Sequence, residues 1–346
     1  MNMLKQILLI LIIFFKSGNL LSENNLFNVN NVILEKKGLF SNSQLADIAI
    51  KKGFDVLIER ILLKEDIPKV STLEFSEIKK IVTYYNISEG SDSENDKANF
   101  NIKFDKNKIH DLFYKRKISY SDIADKEFYI LPILLEASNI NIFSNNYFYE
   151  NWNKGPTNEL IEFILPLENI EIIQKTYKER NDLLSLDLKF LFKEYLDKNI
   201  AIVLIDNNNI NLKKIYLKAN IQNKNITKNL QLKKKGPNEI KFEERIILEI
   251  KEEIINLVKS QNLIDIRTPS FLNLTLNLKK NNNLNLLQAT LNNIDLIENL
   301  FIQEFNKDYI ILKIKYLGKL EKIINQLKKE KINLKLIDDK WYIDIL

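Results

Sequence analysis

Among its 346 residues the chain has no cysteine, one histidine, two tryptophans and seven glycines, and each scarcity removes a class of function. Without cysteine no disulfide can staple the fold, so stability has to come from packed cores. With His110 alone and no thiolate, the monomer lacks the ligands of a common structural zinc site or of a three-histidine catalytic one. The glycines Gly18, Gly38, Gly53, Gly90, Gly155, Gly236 and Gly318 stand far apart. A phosphate cradle needs them close, because only glycine lets successive amides turn toward an anion without steric cost, so neither a Walker loop nor a dinucleotide fingerprint can be written. A serine triad would have to use His110, and no Gly-x-Ser-x-Gly elbow accompanies it; His110 reads as an ordinary surface or partly packed residue beside Asp111.

Two further patterns fail on inspection. Ser76-x-x-Lys79 has the serine-lysine spacing of penicillin-recognising enzymes, but the companion Ser-Asp-Asn and Lys-Thr-Gly elements are missing. Asp92-x-Glu94-x-Asp96 resembles the first half of a calcium loop, yet Lys97 stands where the loop needs glycine and Lys103 where it needs the bidentate glutamate. The residue pattern therefore assigns no catalytic residue, no cofactor and no metal. Charge adds one more exclusion. The formal +5 is spread through interspersed acids and bases, without the clustered basic stripe that nucleic acid requires.

What is present begins with a leader. Lys5 precedes an apolar run from Ile7 to Phe15, and a polar exit follows through Ser17, Gly18 and Asn19. That order is a secretory signal peptide's, with Ser22 as the small residue before the expected cut. The apolar run is short for a membrane span, so the alternative of a retained anchor would have to accommodate Lys16 in the membrane. Hydrophobic residues make up 45% of the chain, enough for two or three domains with real cores.

Periodicity then orders the elements. Leu26 to Leu34 reads as a strand, and Leu45, Ile48, Ala49, Leu57, Ile58, Ile61 and Leu62 form a helical stripe that Pro68 ends. A second helix is expected near Leu73 to Tyr85 from Ile78, Ile81 and Val82. Phe100, Ile102 and Phe104 alternate as a strand, and Asp105 to Lys115 returns to helical spacing. The continuous apolar run Glu127 to Leu135 suggests a central strand. A further strand is expected at Leu160 to Leu165, an amphipathic helix at Asp182 to Leu196, and a buried strand at Ile200 to Ile205. A hairpin spans Lys213 to Lys233, and a helix runs from Ile240 to Ser260. From Phe271 onward the order is strand, helix, strand, strand, helix, strand, with Trp341 to Ile343 as a terminal extended segment. The fold class is thus an α/β (α+β) mixture of consecutive small α/β sandwich units ending in a ferredoxin-like βαββαβ domain. Its divisions are a leader at 1–22, an N-terminal α/β domain at 23–125, a middle α/β domain at 126–265 and the ferredoxin-like domain at 266–346.

The leader, the opening Leu26-Phe27-Asn28-Val29-Asn30-Asn31-Val32 and the helix from Ala46 to Leu62 resemble the domain-of-unknown-function 2066 family (DUF2066) of proteobacterial envelope proteins. The strand Tyr129-Ile130-Leu131-Pro132-Ile133-Leu134, the aromatic segment Asn145 to Trp152 and the strand end Ile164-Leu165-Pro166-Leu167-Glu168-Asn169-Ile170 are similar to further landmarks of that family. The resemblance implies a cell-envelope location and carries over no activity. One tryptophan stands in the aromatic segment, where Tyr147 and Phe148 take the place expected to include another.

Tyr147, Tyr149 and Trp152, flanked by Asn145, Asn146, Asn151 and Asn153, are the candidate contact residues, since amphipathic aromatics beside amides suit a recognition surface. The competing reading packs Phe148 and Trp152 as sheet cover. The function expected is a non-enzymatic protein-binding or assembly module of the periplasm, with envelope proteins as partners, room for membrane-surface association, and neither nucleic acid nor an identified small molecule as ligand. Two alternatives stand beside it. One is a cofactor-independent hydrolase of an envelope polymer, for which Glu162, Glu168 and Glu171 are the acids clustered near a strand end. The other is a membrane-anchored subunit that keeps its leader.

Overall fold

The computed structural model describes residues 26–35, 41–89, 97–123, 126–137, 139–154, 160–236, 241–278 and 284–345. The expected leader and the Asp92-x-Glu94-x-Asp96 tract lie outside the described residues. Helices account for 35% and strands for 37%, in several sheets, which is the α+β class. No helix among the described residues is long and apolar enough to cross a membrane. The chain forms two compact units, one of residues 1–60, 65–120 and 264–346, the other of residues 61–64 and 121–263. The N-terminal and C-terminal portions thus share a unit.

The first unit opens with β1 (Asn28–Glu35), α1 (Asn42–Ile61), the short α2 (Pro68–Ser71), α3 (Phe75–Lys80), β2 (Val82–Glu89), β3 (Lys97–Phe104) and α4 (Lys106–Arg116). The three strands form an antiparallel sheet in the order β1-β3-β2. Ala98, Phe100, Ile102 and Phe104 alternate inward on β3, and Phe54 of α1 meets Phe104 edge-on with ring centres 6.1 Å apart. A Cβ at Gly53 would come within 2.6 Å of the Ile102 Cδ1, so glycine lets this helix approach the sheet closely. The second helix expected to reach Tyr85 stops at Lys80. Its first turn is fixed by reciprocal capping between Glu74 and Glu77. From Val82 the β-branched and aromatic run Val-Thr-Tyr-Tyr prefers extended backbone and pairs with β3, which overrides the helical spacing of Ile78, Ile81 and Val82.

After the two-residue β4 (Tyr120–Ser121), the second unit runs β5 (Glu127–Glu136), β6 (Asn139–Asn141), α5 (Tyr147–Asn151), β7 (Glu162–Ile164), α6 (Ile170–Lys178), α7 (Leu188–Leu191), β8 (Asn199–Asp206), β9 (Leu212–Ile221), β10 (Lys224–Lys233), α8 (Phe242–Gln261) and β11 (Leu263–Ile264). Its main sheet has the order β10-β9-β8-β5-β6, with β7 also beside β5. β5 and β8 pair in parallel. Both are covered on two faces. Phe128, Ile130 and Leu134 join the core under α8, and Tyr129, Leu131 and Ile133 join a second core with Ile172, Leu188 and Leu191. Burial on both faces is why these strands read as continuous apolar runs. The helix expected over Asp182 to Leu196 is instead a 3-10 turn at Leu183–Ser185 followed by α7. The Asp187 carboxylate accepts the Lys189 amide and starts a new helix, which interrupts the period. The longer helix is α6, capped by Asn169.

The chain then returns to the first unit with β12 (Ser270–Asn277), α9 (Leu284–Asn292), β13 (Ile297–Phe305), β14 (Tyr309–Tyr316), α10 (Leu320–Lys329), β15 (Ile332–Ile337) and β16 (Lys340–Ile345). The sheet order is β13-β14-β12-β16-β15. The βαββαβ succession expected of a ferredoxin-like domain is followed by a further strand. β16 turns back through Asp338 and Asp339, both at positive φ, and inserts parallel to β12, leaving β15 at the edge. Within this unit the two sheets' elements are joined by polar contacts. The Leu26 amide donates to the Asp295 carboxylate at 3.1 Å, and the Lys106 Nζ donates to the carbonyls of Asp295 and Ile297 at 3.1 and 3.0 Å.

Candidate functional site

The aromatic segment is put together differently from a contact surface. Trp152 is 0% exposed and packs in the core beneath α8, with its ring 6.1 Å from that of Phe163. This corrects the expectation that Trp152 contributes to a contact face. Tyr149 is half-buried, with its hydroxyl donating to the Pro166 carbonyl at 2.8 Å and its ring edge-on to Phe143. Burial raises the pKa of this phenol, and the Glu168 charge adds to the rise. Only Tyr147 keeps an exposed ring, 38% accessible.

The flanking amides are also committed. Asn146 is 0% exposed, and its Nδ2 donates to the carbonyls of Pro132, Asn141 and Ile142 at 2.9, 3.0 and 2.8 Å. Its Oδ1 caps α5 by accepting from the amides of Phe148 and Tyr149. Along one side of β5, β7 pairs with residues 127–129 and β6 with residues 134–136. Pro132, which has no amide proton to offer, falls in the gap, and Asn146 satisfies its carbonyl there. Asn151 and Asn153 donate to the carbonyls of Tyr147 and Phe163. Asn146 and Asn153 thus hold the segment to the sheet, and Asn151 bonds within α5.

Other sequence candidates are tied up or enclosed. Lys79 is paired with Asp47 at 3.0 Å, and Glu171 with Lys193 at 2.8 Å. Glu168 and Glu171 line a small cleft of about 240 Å³ in the second unit, while Glu162 lies on β7. His110 is buried, 7% exposed, against Phe27 and Tyr120. Burial, followed by the neighbouring Lys106 charge, lowers its pKa to about 4, against the opposing pull of Glu298 and Asp111. Its Nδ1 is 3.7 Å from the Glu298 carboxylate, and its Nε2 has no hydrogen-bond partner among the described residues.

The exposed feature that the sequence reading missed is the outer edge of β2. A free strand edge presents unpaired amides and carbonyls, and proteins blunt such edges with lysine, proline, bulges or short strands. The other outer strands do so. β10 carries Lys224, Lys228 and Lys233; β13 is broken by two register shifts; β15 carries Lys335; β6 and β7 have three residues each. β1 is bulged, and α1 covers its outer carbonyls. Lys52 reaches the Ile33 carbonyl at 3.2 Å, and Arg60 reaches that of Asn28 at 2.7 Å. β2 has the sequence Val-Thr-Tyr-Tyr-Asn-Ile-Ser-Glu, without lysine or proline; its one register shift lies at its start, between Val82 and Tyr84, and its pairing is regular from Tyr84 to Glu89. Tyr84, Tyr85 and Ile87 are 50%, 41% and 41% exposed.

The two faces of this edge differ. Tyr85 and Ile87 are in register with the buried Ile102 and Phe100, so they extend the helix-covered apolar face past the last strand. Tyr84 and Asn86 are in register with Lys103 and Asn101 on the open face, where the Lys103 ammonium lies 6.0 Å from the Tyr84 ring centre. An added strand with alternating apolar and polar side chains matches both faces. The sequence signal for this edge was the β-branched and aromatic run from Val82 to Tyr85, which the helical spacing masked.

No family model matches the chain, and no curated protein or solved structure matches it.

Proposed function

We propose that this protein is exported and acts in the bacterial periplasm as a non-enzymatic binding module, holding an extended segment of an envelope protein as an added strand on β2. The observation that carries the reading is the edge from Tyr84 to Ile87, regular beyond its one register shift and without lysine or proline, where the other outer strands among the described residues are lysine-bearing, bulged, short or covered. Each main-chain hydrogen bond to an added strand contributes about 0.5–1.5 kcal/mol net, so a six-residue edge gives modest affinity. Selectivity then comes from apolar residues seated beside Tyr85 and Ile87. The leader pattern and the DUF2066 landmarks support the envelope location.

The test is affinity recovery of partners from envelope extracts by the wild type, Ile87→Lys and Tyr85→Pro, whose lost N–H points out of the sheet, with thermal melting of each protein. Both variants are edge blockers and are expected to melt close to the wild type while losing one specific partner. Equal recovery by all three proteins removes the proposal.

A further inference from the structure

The second unit gathers exposed apolar side chains at one place. Leu167 and Ile170, at the start of α6, are 86% and 69% exposed, and the exposed Phe190 of α7 lines the same cleft as Leu167. Large apolar residues gathered on a surface mark an interaction site, whereas scattered ones need no explanation. The loop that presents Leu167 is also fixed. The Tyr149 hydroxyl donates to the Pro166 carbonyl at 2.8 Å, and the Asn169 side chain accepts the Glu171 amide at 2.7 Å to cap α6.

The cleft between this loop and α7 holds about 240 Å³. That is below the roughly 300–1,000 Å³ of small-molecule sites, so it suits an anchoring side chain of a larger partner. Its base is built before anything binds. Ile172, Leu191 and Phe192 are buried members of the second core, and Tyr195 stacks on Tyr129 with ring centres 4.0 Å apart. A base already ordered spares the partner the entropy of ordering it.

Charge selects the partner. Glu168, Glu171 and Glu194 line the cleft against one lysine, Lys193, which Glu171 already holds at 2.8 Å. Glu168 and Glu194 are exposed and have no ion-pair partner among the described residues. Nearby cations are engaged elsewhere: Lys175, 5.6 Å from the Phe190 ring centre, is paired with Glu179, and Lys198 with Glu127. An acidic segment would meet like charge at this rim, and an anionic bilayer would be repelled by it.

We propose that this cleft docks a protein segment in which an apolar anchor stands beside lysine or arginine, the anchor seated on Ile172 and Leu191 and the cations paired with Glu168 and Glu194. The site lies within the second unit and does not involve β2, so either proposal can fail without the other.

A display library of random nonapeptides is selected on the immobilised wild-type protein, and the most enriched peptide is synthesised and titrated by fluorescence anisotropy. Enriched sequences should set leucine, isoleucine or phenylalanine beside lysine or arginine. Leu167→Ser should weaken the peptide about tenfold or more. Glu168→Gln combined with Glu194→Gln should weaken it about fivefold at low salt, a loss that shrinks as salt screens the pairing. Ile87→Lys on the β2 edge should leave the affinity unchanged. All these side chains are exposed, and thermal melts check that each variant folds. No enrichment over an unrelated protein overturns the proposal, as does enrichment of acidic or uncharged sequences. Binding that survives Leu167→Ser and the double glutamine variant also overturns it. So does self-association in sedimentation that Leu167→Ser abolishes, because a second copy would then be the occupant.

Discussion

The Lys251 Nζ donates to the Trp152 carbonyl at 2.6 Å and lies 5.8 Å from the centre of the Trp152 ring. Burial lowers the pKa of this lysine, and the indole and the Phe163 ring, 5.5 Å from the ammonium, give the charge aromatic faces in place of water. The relationship makes Trp152 an anchor between α5 and α8. Trp152→Ala should therefore lower the unfolding free energy by about 3–5 kcal/mol, and Tyr147→Ala, at an exposed ring, should stay within about 0.5 kcal/mol of the wild type. Urea denaturation followed by far-ultraviolet circular dichroism distinguishes the two. Equal effects would mean that the segment is not packed as described.

Asn146 makes a sharper case, because three carbonyls and two helix amides converge on one amide. Asn146→Leu should destabilise by roughly 2–4 kcal/mol, since it loses the cap and leaves buried carbonyls unsatisfied. Asn146→Asp keeps the cap acceptor but sets a carboxylate against the carbonyls of Pro132, Asn141 and Ile142. Its defect should be larger at neutral pH and shrink on acidification, as the introduced acid takes up a proton that it can donate. A pH series of denaturation curves checks the sign.

His110 gives the fold a pH dependence of defined direction. Its pKa is near 4 when folded, against 6.5 for the free side chain, so between those values the unfolded chain holds more protons. Stability from this group is complete above about pH 6.5 and is lost as pH falls toward 4, up to about 3 kcal/mol. Protonation would place a cation beside Lys106 in a buried site, although Glu298 faces it too. His110→Phe should flatten this part of the stability profile. A slope unchanged by the substitution would place the titrating group elsewhere.

Much of the architecture was legible because its periods are clean. The alternation of Phe100, Ile102 and Phe104, the doubly buried runs at β5 and β8, and the hairpin of β9 and β10 carry their burial pattern in the sequence. What was not legible is where two signals compete. At Ile81-Val82 a helical stripe runs into a strand, and sheet pairing decides it. At Asp182 to Leu196 one apparent helix is two starts, because Asp187 caps afresh. Insertion of β16 between β12 and β15 depends on pairing partners far apart in the chain, which periodicity does not encode. The aromatic segment misled for a related reason: Asn146, Asn151 and Asn153 look like free amides until the carbonyls they satisfy are placed in space.

The central claim is strand addition on β2, and a photocrosslinking scan in living cells tests it most directly. A photoreactive residue is placed in turn at Tyr84, Tyr85, Asn86 and Ile87, with Asn225 on the lysine-guarded β10 as the control. Side chains on a strand alternate between faces, so the account predicts one crosslinked partner whose yield alternates along β2, strongest at Tyr85 and Ile87, and no such partner from Asn225. A partner captured equally at every position, or captured at Asn225 and not along β2, would contradict it.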